Sequence, residues 1–207
     1  MCNLYRMTKA QADIARLFNA RVSEGANFAE EIYPGYTGAV IAEGRIRAMV
    51  WGFPLNQKSR KTGEPLKPRP VNNARSDKLD SFMWRYSFEE RRCLIPLTAW
   101  AEAEGPRGGK TRTWLSLPGE DAFAVAGIWR TSEEWGDCYS MVMTDAAGAA
   151  AEVHNRMPVI LAPDRYEEWQ GGSIDQAKAL CRGWTGPLQV NRTGEAWSKP
   201  TLSRSHT

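Results

Sequence analysis

Apolar and polar positions in this chain fall into short runs that switch between the repeat of a helix and that of a strand. Ile14, Leu17 and Phe18 recur at helical spacing behind Thr8-Lys9-Ala10-Gln11, which has the form of a capping box, and predict a helix over residues 8–20. Residues 45–53 alternate as a strand does, bracketed by Gly44 and Pro54. Residues 56–70 are polar and punctuated by Pro and Gly, the pattern of a long exposed loop. Over 78–90, Leu79, Phe82, Met83, Tyr86 and Glu90 share one helical face, ahead of an apolar segment at 93–97. Residues 122–129 and 139–144 read as paired strands, joined by a polar turn with Glu133, Glu134, Gly136 and Asp137. A short helix at 148–153, a buried strand at 157–162 and helices at 164–170 and 174–181 follow, and from about Arg192 the chain reads as a loosely ordered polar tail.

Strands and helices mix here without a βαβ rhythm or an internal repeat. The expected fold is therefore α+β: a single domain over 1–195, with a mostly antiparallel, barrel-like β core and peripheral helices, and a tail at 196–207. At 207 residues the chain can bury a substantial core, and one domain is the natural reading of that length. No apolar run approaches the roughly 20 residues of a membrane span, and the N-terminus lacks the regions of a signal peptide. A monomer in the cytoplasm is the expectation. Cysteines at 2, 93, 138 and 181 show neither CxxC spacing nor the density of a disulfide scaffold, and only His154 lies in a structured stretch, so no metal and no cofactor are expected.

The formal charge of +3 conceals an asymmetry. Between residues 45 and 78 lie nine Lys or Arg against Glu64 and Asp77, a net +7 that leaves −4 for the rest of the chain. Such a segment either meets a phosphate backbone or is a solvated basic loop.

Four places could carry chemistry. Cys2 follows the initiator Met, and removal of Met1 would put an α-amine and a thiol on one carbon, both partly nucleophilic near neutral pH. A 1,2-aminothiol adds to an aldehyde as an imine and then closes to a thiazolidine; the plainer reading of Cys2 is an accidental cysteine at a frayed end. His154 sits just ahead of the strand predicted at 157–162, where it could shuttle protons or simply bond to backbone. Glu102, in Thr98-Ala99-Trp100-Ala101-Glu102-Ala103, could be a carboxyl of raised pKa among small and aromatic neighbours, or a surface carboxylate. Asn73-Ala74-Arg75 offers an amide and a guanidinium suited to phosphate, or a turn.

In order, Met1-Cys2, Trp51-Gly52-Phe53-Pro54, Asn73-Ala74-Arg75, Arg92-Cys93-Leu94-Ile95-Pro96, Trp100-Ala101-Glu102, the run from Phe123 to Trp129, and the run from His154 to Leu161 resemble the SRAP family of SOS response-associated peptidases, or abasic-site processing proteins, over about residues 1–195. The resemblance implies that Cys2 forms a covalent bond to abasic sites in single-stranded DNA, with possible lyase and reversal activity. It makes Asn73 a positioning residue, Glu102 and His154 the acid–base pair, and Arg75, Arg156 and Thr144 phosphate contacts. Two positions depart from the family pattern. Leu4 stands where many members carry Arg, and Ala103 where many carry an aromatic residue, which leaves stacking to Trp51 or to the basic loop with Lys67 and Arg69. The rivals are an N-terminal-nucleophile peptidase, sharing Cys2, and a non-catalytic single-strand-binding module.

Overall fold

The structure is a computed structural model and describes residues 2–23 and 27–197. At its centre five strands form a ring. Arg45–Trp51 pairs with Thr37–Ala42, that strand with Arg92–Leu97, that with Phe123–Ser132, and that with Gly136–Asp145, all antiparallel. The ring closes where Gly136–Asp145 runs parallel to Arg45–Trp51, with Cys138 beside Val50 and Tyr139 beside Trp51. Every residue of Arg92–Leu97 is buried, as expected of a strand covered on both faces, one by the barrel interior and one by the elements packed outside.

A second, five-stranded sheet runs in the order Glu31–Ile32, Tyr5–Arg6, Ala99–Glu104, Thr111–Ser116, Gln189–Ala196, with its register shared out pair by pair as Tyr5 to Ile32 and Trp100, and Glu102 to Thr113. The start of the chain is thus an interior strand. The two sheets meet at Tyr5 and Tyr139, fully buried residues whose hydroxyls hydrogen-bond to each other. Gly38 makes room for that pair, since a Cβ there would collide with both hydroxyls. The fold is α+β and mostly antiparallel with a barrel at its core, as expected. Among the described residues no helix is long and apolar enough to cross a membrane.

Four local expectations need correcting. The first helix is Gln11–Leu17 with Ala10 at its N-cap and no side-chain cap, so the Thr8 to Gln11 box does not form. The polar stretch 56–70 is no loop: Phe53–Lys58 and Pro65–Val71 pair as a two-stranded ribbon, and Ser59 accepts from the backbone N–H of Lys61 and Thr62 at its tip. Over 78–90 the only helix beyond a single turn is Arg85–Glu90, and residues 79–84 run as turns ahead of it, with Leu79 buried and Phe82 96% exposed. The strand Gln189–Ala196, paired with Thr111–Ser116, occupies the place of the expected loose tail, and the remainder of that tail, 198–207, lies outside the described residues.

Candidate active site

Cys2 is fully buried and lies where the first strand approaches Ala99–Glu104. The backbone N–H of Ala101 donates to the carbonyl of Leu4 at 2.9 Å, which carries the pairing on from Tyr5–Trp100 toward Cys2 and Glu102. From the other side, the Asn73 side-chain amide donates to the Cys2 carbonyl at 2.7 Å and that of Asn72 at 2.9 Å. Asn73 begins Asn73–Arg75, a strand docked parallel to the barrel strand Gly136–Asp145 with Asn73 beside Met141. Cys2 is therefore pinned between the two sheets. The Asn73 Oδ1 is buried and accepts no hydrogen bond among the described residues, leaving an acceptor beside Cys2.

Along Ala99–Glu104, Trp100 and Glu102 share the inward face, so the Glu102 carboxyl occupies a position that strand alternation reserves for an apolar side chain. It is 3% exposed. Removal from water disfavours its charged form and pushes its pKa up to about 7. Burial likewise pushes the Cys2 thiol well above its ordinary value, and the Glu102 charge adds to the effect, which places the two groups within electrostatic reach. The thiol donates a hydrogen bond to the Leu4 carbonyl at 3.4 Å.

His154 ends the turn that follows the short 3-10 helix Gly148–Glu152, and its Nδ1 accepts the Arg156 backbone N–H at 3.0 Å. Burial holds its pKa below the ordinary value, with the Lys110 charge acting in the same direction. In a neutral ring with Nδ1 accepting, the proton sits on Nε2.

The phosphate candidates divide. Arg75 is exposed and forms a two-pronged pair with Asp77, at 2.7 and 2.9 Å, and Arg156 pairs with Asp145 at 3.2 Å. An incoming phosphate would exchange with these carboxylates. Lys67 and Arg69 are exposed on the ribbon and have no ion pair among the described residues. Two assignments change. Trp51 is fully buried, donates its indole N–H to the Asn72 carbonyl at 3.0 Å, and has no face to offer a base; its part is to hold Asn72. Thr144 is 6% exposed and donates its hydroxyl to the Cys181 carbonyl at 3.2 Å, so as the structure stands it faces the fold and not a strand of DNA. Asn72 is the residue that sequence reasoning passed over, although the doubled amide Asn72-Asn73 was a visible signal. Among the described residues no group of three His, Cys, Asp or Glu could hold a metal ion. A separate cavity of about 570 Å³, lined in part by Arg165, Arg182 and Trp184, shares no residue with this site.

The sequence model of the family described as SOS response associated peptidase (SRAP) matches residues 1–193. The chain belongs to the SRAP family. Solved structures similar to this SRAP domain include a protein from Bordetella bronchiseptica, at TM-score 0.77 and 22% identity over 93% of this chain and 99% of that one. A protein from Bacteroides thetaiotaomicron gives 0.75 and 17% over 92% and 91%, and a phage-related protein from Bordetella bronchiseptica 0.68 and 22% over 93% and 94%. At these identities the likeness is one of fold. No curated protein matches the chain.

Proposed function

We propose that this SRAP protein processes abasic sites in single-stranded DNA, becoming covalently attached through Cys2. The observation that carries the reading is the placement of a buried Cys2 between the Asn72 and Asn73 amides on one side and the Glu102 carboxyl on the other, with a basic ribbon attached to Asn72 through Val71. Once Met1 is removed, the α-amine of Cys2 attacks C1′ of the ring-opened sugar and gives a carbinolamine. Loss of one water leaves the imine. The thiol then adds across C=N, its sulfur bonding to carbon and its proton passing to nitrogen, which closes a thiazolidine.

A carboxyl with a pKa of about 7 is populated in both forms at neutral pH, so Glu102 can accept a proton from the amine or thiol and return one to the departing hydroxyl. Neutral His154, with its proton on Nε2, is the candidate donor for opening the sugar ring. β-elimination from the imine breaks the bond to the 3′ phosphate and accounts for lyase activity, and reversal passes through the same imine. The raised thiol pKa favours this route over peptide hydrolysis, because a cysteine peptidase needs a thiolate as its first attacking group.

The test is incubation with an oligonucleotide bearing one abasic site, followed by intact mass. Wild-type protein is expected to give an adduct of the chain without Met1 plus DNA less one water. Cys2→Ala should give no stable adduct while retaining a borohydride-trappable imine, and Glu102→Gln or His154→Gln should slow adduct formation by roughly 10²–10⁴-fold without changing its mass. An adduct from protein that keeps Met1, or a wild-type adduct mass from Cys2→Ala, would refute the assignment.

A further inference from the structure

The segment 182–186, which follows the helix Ile174–Leu180, and the short strand Ile160–Leu161 line the cavity of about 570 Å³ that lies apart from Cys2. Its lining is divided. Ile160, Leu161 and Leu180 are buried and form an apolar floor, while Asp164, Arg165 and Arg182 are exposed and form a charged rim. A smaller cavity of about 210 Å³ adjoins it through Leu161, Ala162 and Trp184. Phe123, Tyr166 and Pro187 stand in the wall of that second chamber, which holds one carboxylate, Glu120, and no cation.

Both chambers reach Trp184, and its indole carries the unfinished part of the wall. The Trp184 Nε1 is buried and donates to no acceptor among the described residues. A buried indole N–H ordinarily finds an acceptor, because leaving it without one costs its desolvation. Gly186 puts no side chain beside it: a Cβ there would lie 2.8 Å from Nε1. The segment that carries the indole is fixed by contacts outside the cavity. Thr144 donates its hydroxyl to the Cys181 carbonyl at 3.2 Å. Gly183 packs so closely that a Cβ on it would lie 2.6 Å from the Ala147 Cβ and 2.8 Å from the Asp145 carbonyl oxygen. The donor thus stands in a wall that is already formed.

The rim decides the charge that fits. Arg165 is already shared between Glu168 at 2.7 Å and Asp164 at 3.5 Å, whereas Arg182 has no carboxylate partner among the described residues. Two guanidiniums and one carboxylate leave a single positive charge, which matches one negative charge better than two. A planar guanidinium pairs with the two oxygens of a carboxylate, whose remaining lone pairs can accept an indole N–H. The volume is that of a small-molecule site. We propose that this cavity binds a small organic carboxylate with a flat apolar body. Its head meets Arg182 and the Trp184 Nε1–H, and its body lies along Leu161 and Leu180 toward the smaller chamber.

The experiment titrates isotope-labelled protein with cinnamate and follows the indole N–H resonances by NMR, that of Trp184 being identified by its loss in Trp184→Phe. The Trp184 resonance is expected to move downfield as the N–H gains an acceptor, and to saturate with a dissociation constant on the order of a few mM or lower. Acetate has the head without the body, and cinnamyl alcohol the body without the charge; each should bind at least roughly 10-fold more weakly. Arg182→Met should weaken cinnamate to the same extent. Arg182 is exposed, so that variant should melt with wild type, and the comparison of the three probes needs no variant at all. A Trp184 resonance that does not respond or does not saturate, an alcohol that binds as tightly as the acid, or an Arg182→Met titration that matches wild type would overturn the assignment. The readout is binding at a cavity that shares no residue with the Cys2 site, so the result stands whichever way the crosslinking test falls.

Discussion

A buried carboxyl with a raised pKa leaves a mark on stability as well as on catalysis. The folded-state pKa of Glu102, about 7, lies above the ordinary value near 4.3, so the stability this group contributes is fully present below about pH 4 and is lost as the pH rises through 7. His154 acts in the opposite direction: its folded pKa is lowered, so the unfolded chain takes up the proton first as the pH falls below about 6.5. Subtracting melting data for Glu102→Gln from those for wild type at each pH cancels the histidine. The variant is expected to gain on wild type between pH 4.5 and 7.5 by on the order of a few kcal/mol. A difference that does not move with pH would mean that the carboxyl titrates like an exposed one. At this scale the sequence was partly readable. The structure places Cys2, Asn73 and Glu102, read as separate candidates, around one point; the sequence offered Glu102 equally as a surface carboxylate, because which face of the strand it takes depends on a pairing register that leaves no local pattern. Trp51 misled because an aromatic residue beside Gly and Pro reads the same whether its ring faces solvent or core.

The basic charge belongs to an element that the residue pattern disguised. Two strands rich in Pro, Lys and Arg carry no apolar alternation because the ribbon packs only at its base, so period-2 reasoning had nothing to detect. What fixes the base of the ribbon is Gly52, whose φ of +123° suits glycine and whose Cβ, had it one, would sit 2.9 Å from Pro70 Cα. Within the ribbon and the strand that follows it, the cations are not equivalent. Arg75 already has Asp77, whereas Lys67 and Arg69 have no carboxylate partner among the described residues. Removing an unpaired cation takes away a released counterion; removing a paired one also frees a carboxylate. For intact single-stranded DNA, Lys67→Ala with Arg69→Ala should reduce the slope of log K against log salt by about 1.4, from about 0.7 per phosphate contact. Arg75→Ala should change that slope by less. Anisotropy titrations at four or five salt concentrations measure both, and an unchanged slope in the double variant would take the ribbon out of the DNA footprint.

For the molecule as a whole, the site lies on the seam between barrel and sheet, so the contacts that join the two also set the geometry around Cys2. Strand Gly136–Asp145 is the hub: it closes the barrel, docks Asn73–Arg75 and carries Tyr139. Tyr5, three residues after Cys2, reaches across from the sheet to the Tyr139 hydroxyl. A barrel-like α+β fold could be inferred from short strands without a βαβ rhythm, but the closure could not, because it depends on a parallel pairing between residues some 90 positions apart that leaves no local pattern. The tyrosine pair offers a test of the seam. Tyr139→Phe leaves the buried Tyr5 hydroxyl without its partner and should cost about 1–3 kcal/mol, and Tyr5→Phe should do the same from the other side. Replacing both removes the orphan as well as the bond, so the double variant should be less destabilised than the sum of the singles. Adduct formation should follow the same order, slowest in the singles, because a loosened first strand misplaces Cys2 against Asn73 and Glu102. Denaturant melts and single-turnover time courses on the four proteins complete the cycle. Additive losses in stability would show that the two hydroxyls do not act as a pair, and stability losses without any change in adduct rate would separate the seam from the chemistry.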